Sequence, residues 1–388
     1  MSSHPVLLVL GIAVLAPLLA EIPIGFRLPT VVLEMMFGII VGPDVLGLVK
    51  AEGLIDWLGG TLGLAALFFM AGLELDLGRV KGAPLRLAVL GWMLSLVLAF
   101  SAAMLLHFLP HVHAPMMIAI ALSTTALGTL LPILSDAGES DTVFGRMVLA
   151  AGAVGEFGPV VVMSLVLTQG SSGWFEVVLL LAFVAIACLA ALVALGVRPP
   201  RMLSLLTRTM HASSQLPVRL ALFLLAAFVV VSEDFGFEAI PGAFAAGMVV
   251  GLATRGEDGK PLRYKIEAVA FGFLVPFFFV TSGVKFELAM VLHSTEALAL
   301  VPVFLGLMLF VRGAPVLLYR NVLSRYERLP FALYSATALP ILIAVAQIGV
   351  RTGRLHPAIA SALIGAGMLS VLLFPTVAGI LRSQRRAI

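Results

Sequence analysis

Ala150-Ala151-Gly152-Ala153-Val154-Gly155-Glu156-Phe157-Gly158-Pro159-Val160 sets one carboxylate in the middle of an apolar run extending from about Val143 to Leu167. Such a run is long enough to cross a bilayer, which takes roughly 20 apolar residues at ~1.5 Å each. Glu156 then lies near the midplane. A charged side chain there costs about 2.5–3.5 kcal/mol on insertion scales, so it is kept where it faces a partner, a cavity or an ion path. Two readings follow: a functional carboxylate, or a neutral Glu hydrogen-bonded to a neighbouring helix.

The rest of the chain is built to match. Of its 388 residues 61% are hydrophobic and 12% charged, against about 25% charged in an average soluble domain, and the mean hydropathy is +1.13. This describes an all-α polytopic membrane protein whose solvent is the lipid bilayer. The net charge of +3 calls for no nucleic-acid partner, because the basic residues alternate between loops as orientation signals do. A single cysteine, Cys188, rules out an internal disulfide and a Cys-based metal site. Of the seven histidines only His111 and His113 lie close in sequence, so no metal constellation is visible. HExxH, GxSxG, P-loop and GxGxxG patterns are all absent. Neither an enzyme nor a cofactor is expected.

Hydropathy divides the chain into thirteen candidate spans, approximately 5–22, 29–42, 54–73, 84–108, 114–135, 143–168, 175–197, 216–232, 239–253, 266–284, 298–319, 330–349 and 357–381. The first begins at Pro5 with no Lys or Arg before it, unlike a cleavable signal peptide. With the N-terminus outside, 19 of the 24 Lys and Arg residues fall in inner connections, and only Lys50, Arg351 and Arg354 fall in outer ones. That split satisfies the positive-inside rule. It predicts an outward N-terminus and a cytoplasmic C-terminus.

Self-similarity gives the architecture. Leu67-Phe68-Phe69-Met70-Ala71-Gly72-Leu73-Glu74 is echoed by Pro276-Phe277-Phe278-Phe279-Val280-Thr281-Ser282-Gly283, and Thr124-Thr125-Ala126-Leu127 by Ala336-Thr337-Ala338-Leu339-Pro340, at nearly one offset. The third and tenth spans differ by an odd number, so the copies have opposite orientations. The prediction is one membrane domain over residues 1–388. It holds two inverted repeat units, approximately 29–168 and 239–381, a linking region of approximately 169–238, and no soluble regulatory domain.

Two matched stretches interrupt their spans: Ser123-Thr124-Thr125-Ala126-Leu127-Gly128 and Ser335-Ala336-Thr337-Ala338-Leu339-Pro340. Proline cannot donate to the helix ladder and glycine weakens it, so both are points where a helix unwinds and frees carbonyls and half-helix ends. Such carbonyls, with the hydroxyls of Ser123, Thr124, Thr125 and Thr337, suit a monovalent cation. The bland alternative is that the hydroxyls bond back to their own helices. Arg312, inside the eleventh span, keeps its proton and needs a carboxylate. A Glu156–Arg312 ion pair is expected, with snorkelling of Arg312 as the alternative. Glu34 is either a helix-packing contact or part of the inner funnel. Gln347 reads more readily as an interhelical hydrogen bond than as a ligand.

Leu28-Pro29-Thr30-Val31-Val32-Leu33-Glu34 through Gly38-Ile39-Ile40-Val41-Gly42-Pro43, Phe68-Phe69-Met70-Ala71-Gly72-Leu73-Glu74 and Gly242-Ala243-Phe244-Ala245-Ala246-Gly247 together resemble the monovalent cation:proton antiporters of the Kef- and NapA-like branch. The resemblance covers nearly the whole chain. It implies thirteen spans, a dimerisation domain, a mobile six-helix core with two crossed broken helices, and exchange of Na+ or K+ for H+ by a homodimer in a bacterial plasma membrane. Family members commonly carry a paired acidic motif in the sixth span. Here the aligned dipeptide reads Glu156-Phe157, with Phe157 where the usually essential second acid stands. The resemblance also places Thr125 and Thr337 at the crossover, and Arg312 where a basic residue pairs with the sixth-span acids. Electroneutral exchange through Glu156 is therefore expected, and a non-coupled cation channel or a transport-inactive ion sensor is the alternative.

Overall fold

The computed structural model describes residues 4–21, 29–74, 82–108, 114–167, 214–254 and 259–386, with 209 and 212 between them. The seventh predicted span, 175–197, and Cys188 lie outside the described residues. Among those described, all regular structure is helical. In chain order the helices are α1 (His4–Ala20), α2 (Thr30–Val41), α3 (Leu54–Glu74), α4 (Ala83–Leu106), α5 (Pro115–Leu122), α6 (Leu127–Asp136), α7 (Val143–Leu167) and α8 (Leu216–Asp234). They continue as α9 (Ala239–Ala253), α10 (Lys260–Val269), α11 (Val275–Val284), α12 (Leu288–His293), α13 (Thr295–Gly313), α14 (Arg328–Ala336), α15 (Pro340–Arg351) and α16 (Pro357–Arg386).

Eight helical stretches are long and apolar enough to cross a membrane, and His4–Ala20, Thr30–Val41, Pro115–Leu131 and Ala239–Ala253 are shorter apolar helices. The protein is an integral membrane protein. The tenth predicted span begins earlier than expected, at Lys260 rather than 266. Its first turns, Lys260-Pro261-Leu262-Arg263-Tyr264-Lys265-Ile266-Glu267, read as a loop by hydropathy. Only Ile266 is buried there, so the polar face that lowered the hydropathy is a solvated one.

Local chemistry sets the helix ends. Proline stands in the first turn of α4, α5, α8, α10 and α15, where a missing N–H costs nothing. Three helices stop on a left-handed glycine: Gly138 after α6, Gly236 after α8 and Gly353 after α15. In each, the next amide reaches back to a carbonyl of the last turn, at 2.8 Å from Glu139 to Leu134, 3.0 Å from Phe237 to Ser232 and 2.9 Å from Arg354 to Gly349. This double closure satisfies carbonyls that the helix leaves orphaned.

The described chain forms two compact units. The first comprises residues 1–51, 77–163 and 282–388, and the second 52–76 and 164–281. In the first, α13 packs on α16, α14 on both, and α4 on α5. A buried cluster including Leu134, Phe144, Met147, Tyr319, Phe331, Tyr334 and Phe374 joins α6, α7, α14 and α16. At its edge the Arg382 guanidinium lies 3.9 Å above the Phe144 ring and donates to Glu139 at 2.7 Å and Glu327 at 3.2 Å.

In the second unit α3 lies against α9. Gly72 and Gly247 are required there: a Cβ at Gly72 would strike the Phe244 carbonyl, and one at Gly247 the Phe69 carbonyl. The stretches Phe68–Leu73 and Gly242–Gly247 thus form a backbone-to-backbone seam, the usual role of small residues between membrane helices.

Candidate functional site: the crossing of two broken helices

The helix from Pro115 ends at Leu122 and resumes at Leu127. The one from Arg328 ends at Ala336 and resumes at Pro340. Both breaks fall in the predicted stretches and both belong to the first unit. They touch each other, since the Ala126 amide donates to the Thr337 carbonyl at 2.8 Å and the Thr125 hydroxyl donates to the Ser335 carbonyl at 2.5 Å. Each break therefore satisfies part of the backbone that the other has freed.

A third helix supplies the next partner. Pro159 sits inside α7 and has no amide to give the carbonyl four residues back, which is that of Gly155. The Thr125 amide takes this carbonyl at 3.0 Å. Gly155 is also the point of closest approach: a Cβ there would lie 2.5 Å from Arg312 Nη2 and 2.7 Å from Thr125 Oγ1. One residue further, about 100° round the helix, comes Glu156, which is buried at 8% exposure. Gly152, on whose side Glu156 lies to within about 40°, has its Cβ position 3.0 Å from Leu127 Cδ1. The Glu156 position thus lies nearer the side of α7 that meets the start of α6 than the side that meets the arginine. Phe157, next along, is 38% exposed.

Arg312, on α13, is 4% exposed, so it does not snorkel. Its Nε donates to Thr125 Oγ1 at 2.9 Å and to the Ser335 carbonyl at 3.3 Å, Nη1 to Ser95 Oγ at 3.1 Å, and Nη2 to the Ala151 carbonyl at 3.1 Å. Ser95 passes its own proton to the Val311 carbonyl at 2.9 Å. No carboxylate is among these partners, which corrects the expected Glu156–Arg312 ion pair. The physical reason is the glycine: position 155 is the one facing Arg312, and its missing side chain leaves room for the guanidinium against the backbone. Arg312 ties together α4, the first break, α7 and the end of α14.

The remaining predicted residues divide. Ser123, Thr124 and Thr337 donate back to carbonyls of their own helices, Ile120 at 2.9 Å, Ala121 at 2.8 Å and Leu333 at 3.1 Å. Each hydroxyl oxygen still keeps lone pairs that can accept or coordinate. Gln347 donates to Ser282 Oγ at 2.9 Å, the interhelical bond expected of it. Glu34 is buried on α2, away from these contacts. Three residues enter that sequence reasoning passed over, Ser95, Trp92 and Ser370, and Ser335 of the second quoted stretch joins them. Trp92 donates its indole N–H to the Ser123 carbonyl at 3.2 Å, and Ser370 bridges both backbone groups of Ala338, at 3.1 and 2.9 Å. The Ser335 hydroxyl is buried with no hydrogen-bond partner. Ser95 and Trp92 are polar groups in the middle of the mostly apolar Ala83–Leu106 run, and that was the signal for both.

Two broken helices touching beside a buried carboxylate and a buried arginine, in an all-helical integral membrane protein, are what the fold and the site present. Residues 10–381 match the sodium/hydrogen exchanger family (transmembrane), to which the chain therefore belongs. It is similar to the Bacillus subtilis (strain 168) protein YjbQ, whose name describes a Na+/H+ antiporter. The two are 25% identical over 391 aligned positions, 95% of this chain and 61% of that one. The Bacillus cereus Na+/H+-K+ antiporter GerN is 24% identical, over 69% of this chain and 68% of its own length. The chain spans about three fifths of the length of YjbQ. Its fold is similar to that of the sodium proton antiporter MjNhaP1 from Methanocaldococcus jannaschii, with a TM-score of 0.69, 20% identity and 96% of each chain covered.

Proposed function

We propose that the chain exchanges a monovalent cation, Na+ or K+, for H+, with Glu156 as the shared cation and proton site. The observation that carries this reading is the placement of Glu156. It is buried, and it follows directly on the residue whose proline-freed carbonyl holds the first break. Only one of the two ions can neutralise a single carboxylate at a time, so occupancy by one excludes the other. In this reading the hydroxyl and carbonyl oxygens of Thr125, Thr337, Ser123 and Thr124 at the two touching breaks assist Glu156, and the Ser335 hydroxyl, buried at the second break with no partner among the described residues, is a further oxygen donor.

The inward-facing dipeptide is best read as Gly155-Glu156, because Gly155 meets Arg312, Glu156 is buried and Phe157 is largely turned out. Glu156 then takes the second place of the family's motif, the one usually essential, and its partner position is vacated for Arg312. This favours coupled exchange over a channel or a sensor. Arg312 keeps a fixed charge throughout, so the loaded core carries the same charge with H+ as with Na+ or K+. One cation per proton, and electroneutral flux, follow.

The same reading takes the chain as thirteen spans in two inverted units, approximately 29–168 and 239–381. It forms a homodimer in a bacterial plasma membrane, N-terminus outside and C-terminus in the cytoplasm. Both the positive-inside distribution and the family resemblance support this arrangement. The test is cation-induced proton flux in proteoliposomes, wild type beside Glu156→Gln, with Na+ and K+ applied separately. Flux in the wild type and none in the variant is expected. Unchanged flux in the variant would remove Glu156 from the mechanism, and cation flux that persists without any proton gradient or counter-movement would establish a channel.

A further inference from the structure

Glu34 is a second buried carboxylate that the exchange site does not use. It lies four residues into α2 and is 4% exposed. Among the described residues it makes no hydrogen bond and no ion pair. Glu139, the other acid of the first unit buried as deeply, differs in that Arg382 donates to it twice, at 2.7 and 3.1 Å.

Among the described residues, the elements packed on α2 offer Glu34 no compensating charge. α2 packs against α1 and, more lightly, α16. On the remaining side Gly283 of α11 approaches so closely that a Cβ would strike the Met35 carbonyl and lie 2.9 Å from Gly38 Cα. Glu34 and Gly38 are one turn apart on a single helix face. α1 carries only His4, exposed at its start, with Glu21 exposed just beyond its end. The basic residues of α16 stand in its last turns, where Arg382 is engaged by Glu139 and Glu327. Lys285, after α11, is exposed. An ionised carboxylate on a side chain this deeply buried in a membrane protein is costly to keep, and no described residue supplies it a counter-charge. A neutral carboxyl used only for packing would more naturally find a hydrogen-bond partner.

We propose that Glu34 is a second proton-exchanging carboxyl of the membrane region, separate from Glu156, which takes up and releases H+ as the protein works. Proton loading and unloading at α2 would give the protein one more titrating position than its exchange site. The assignment of a role in transport rests on the exchange reading above; the exchange of the proton itself does not.

The experiment has one arm for each part. A hydrophobic carbodiimide adds only to a protonated carboxyl, forming an O-acylisourea that rearranges to a stable N-acylurea, with no other product to balance. The purified wild-type protein is treated at a series of pH values between about 6 and about 9, which spans the ordinary working range of a proton-exchanging group, and peptides are read by mass spectrometry. Adduct at Glu34 that is lost by at least tenfold across the series is expected. No adduct at any pH, or adduct constant across the series, overturns the proposal, the second because the proton would then never leave.

In the second arm the pH profile of proteoliposome flux is compared for wild type, Glu34→Gln and Glu34→Asp. A shift of the profile by a pH unit or more in the Gln variant, smaller in the Asp variant, is expected, and superimposable profiles overturn the role in transport. Should Glu34→Gln fail to assemble, the Asp variant and the wild-type labelling decide. The outcome is separable from that of the exchange reading, because Glu34 labelling requires no flux and is expected unchanged in Glu156→Gln.

Discussion

At the crossing in the first unit and at the α3–α9 seam in the second, membrane helices come to backbone distance by opposite means. The seam does it by subtraction: Gly72 and Gly247 remove side chains, and intact helices close on each other's carbonyls. The crossing does it by addition, since the helices break there and Thr125, Ala126 and Arg312 bind the backbone groups so released. A seam of intact helices tolerates no change in volume but contains nothing to titrate or coordinate. A crossing of broken ones gathers polar atoms in a low dielectric, where they are strong and where a change of charge is felt. The first arrangement suits a scaffold and the second suits an ion site.

Breaking the seam should have the largest effect. Gly247→Val places its branched side chain on the Phe69 carbonyl and the Leu73 amide, backbone atoms that cannot yield. Overpacking a close-packed interior costs about 1–3 kcal/mol and more where backbone must move, so the expected outcome is loss of monodisperse protein in detergent. Cation affinity in whatever fraction survives should be unchanged. A well-folded variant with altered affinity would mean that the seam is part of the ion site.

Breaking the crossing should cost less in yield and more in function. Arg312→Gln removes a charged hub from four acceptors, each such bond contributing about 1.5–3 kcal/mol when made by a charged group. A lower melting temperature together with lost flux is expected. Arg312→Lys keeps the charge but not the planar fork that reaches Ser95, Thr125, Ser335 and Ala151 together. It should recover less than half of the lost stability. Full recovery by Lys would show that charge alone matters there and that the bridging geometry does not.

A finer cut lies at Gly155 and Pro159. Gly155→Ala must displace Arg312 Nη2, a flexible side-chain end, and meets Thr125 at both Oγ1 and Cβ, the latter at 2.9 Å and fixed to the backbone of the break, at a cost of about 1–3 kcal/mol. Pro159→Ala adds an amide that competes for the Gly155 carbonyl and so loosens the Thr125 link while repairing the helix. The pair separates stability from function: the first should lower both melting temperature and flux, the second flux alone. Unaltered flux in Pro159→Ala would make the proline a simple kink.

These residues also mark what could be read in advance. Hydropathy located the apolar helices among the described residues because each is a run of contiguous side chains facing lipid or core, and Ser, Thr, Gly and Pro clusters located the breaks because backbone geometry is local. The partners of Arg312 were not legible. Ser95 lies 217 residues away, and charge reasoning demanded a carboxylate where the protein uses one hydroxyl from each of two elements and two carbonyls. A glycine beside an acid reads as neutral spacing in a sequence; that Gly155 is the residue facing the guanidinium appears only once the helix is turned. Pro159 carried a hint, since a proline inside a membrane helix announces one free carbonyl four residues earlier.

The smallest effect is expected where a second arginine hub meets water. Arg382 also joins three elements, but through carboxylates, and its side chain is 21% exposed while that of Glu327 is 29% exposed. Burial alone would push the Glu327 carboxyl up, yet hydrogen bonds from the Ser324 side chain and amide, with Arg382, hold it below the ordinary carboxylate value. A carboxyl lowered by folding stabilises the fold above its unfolded value, about 4.3, and loses that contribution as pH falls through the lowered one. Glu327→Gln should therefore melt slightly below wild type at neutral pH, by the equivalent of about 1 kcal/mol or less, and the gap should close on acidification below about pH 4. Salt supplies the contrast with the crossing. At 1 M ionic strength the screening length is about 3 Å, so the Glu327 gap should shrink while the penalty of Arg312→Gln stays as it was. If both respond alike, burial is not what sets the two hubs apart, and Arg312 is more open to solvent than its 4% exposure implies.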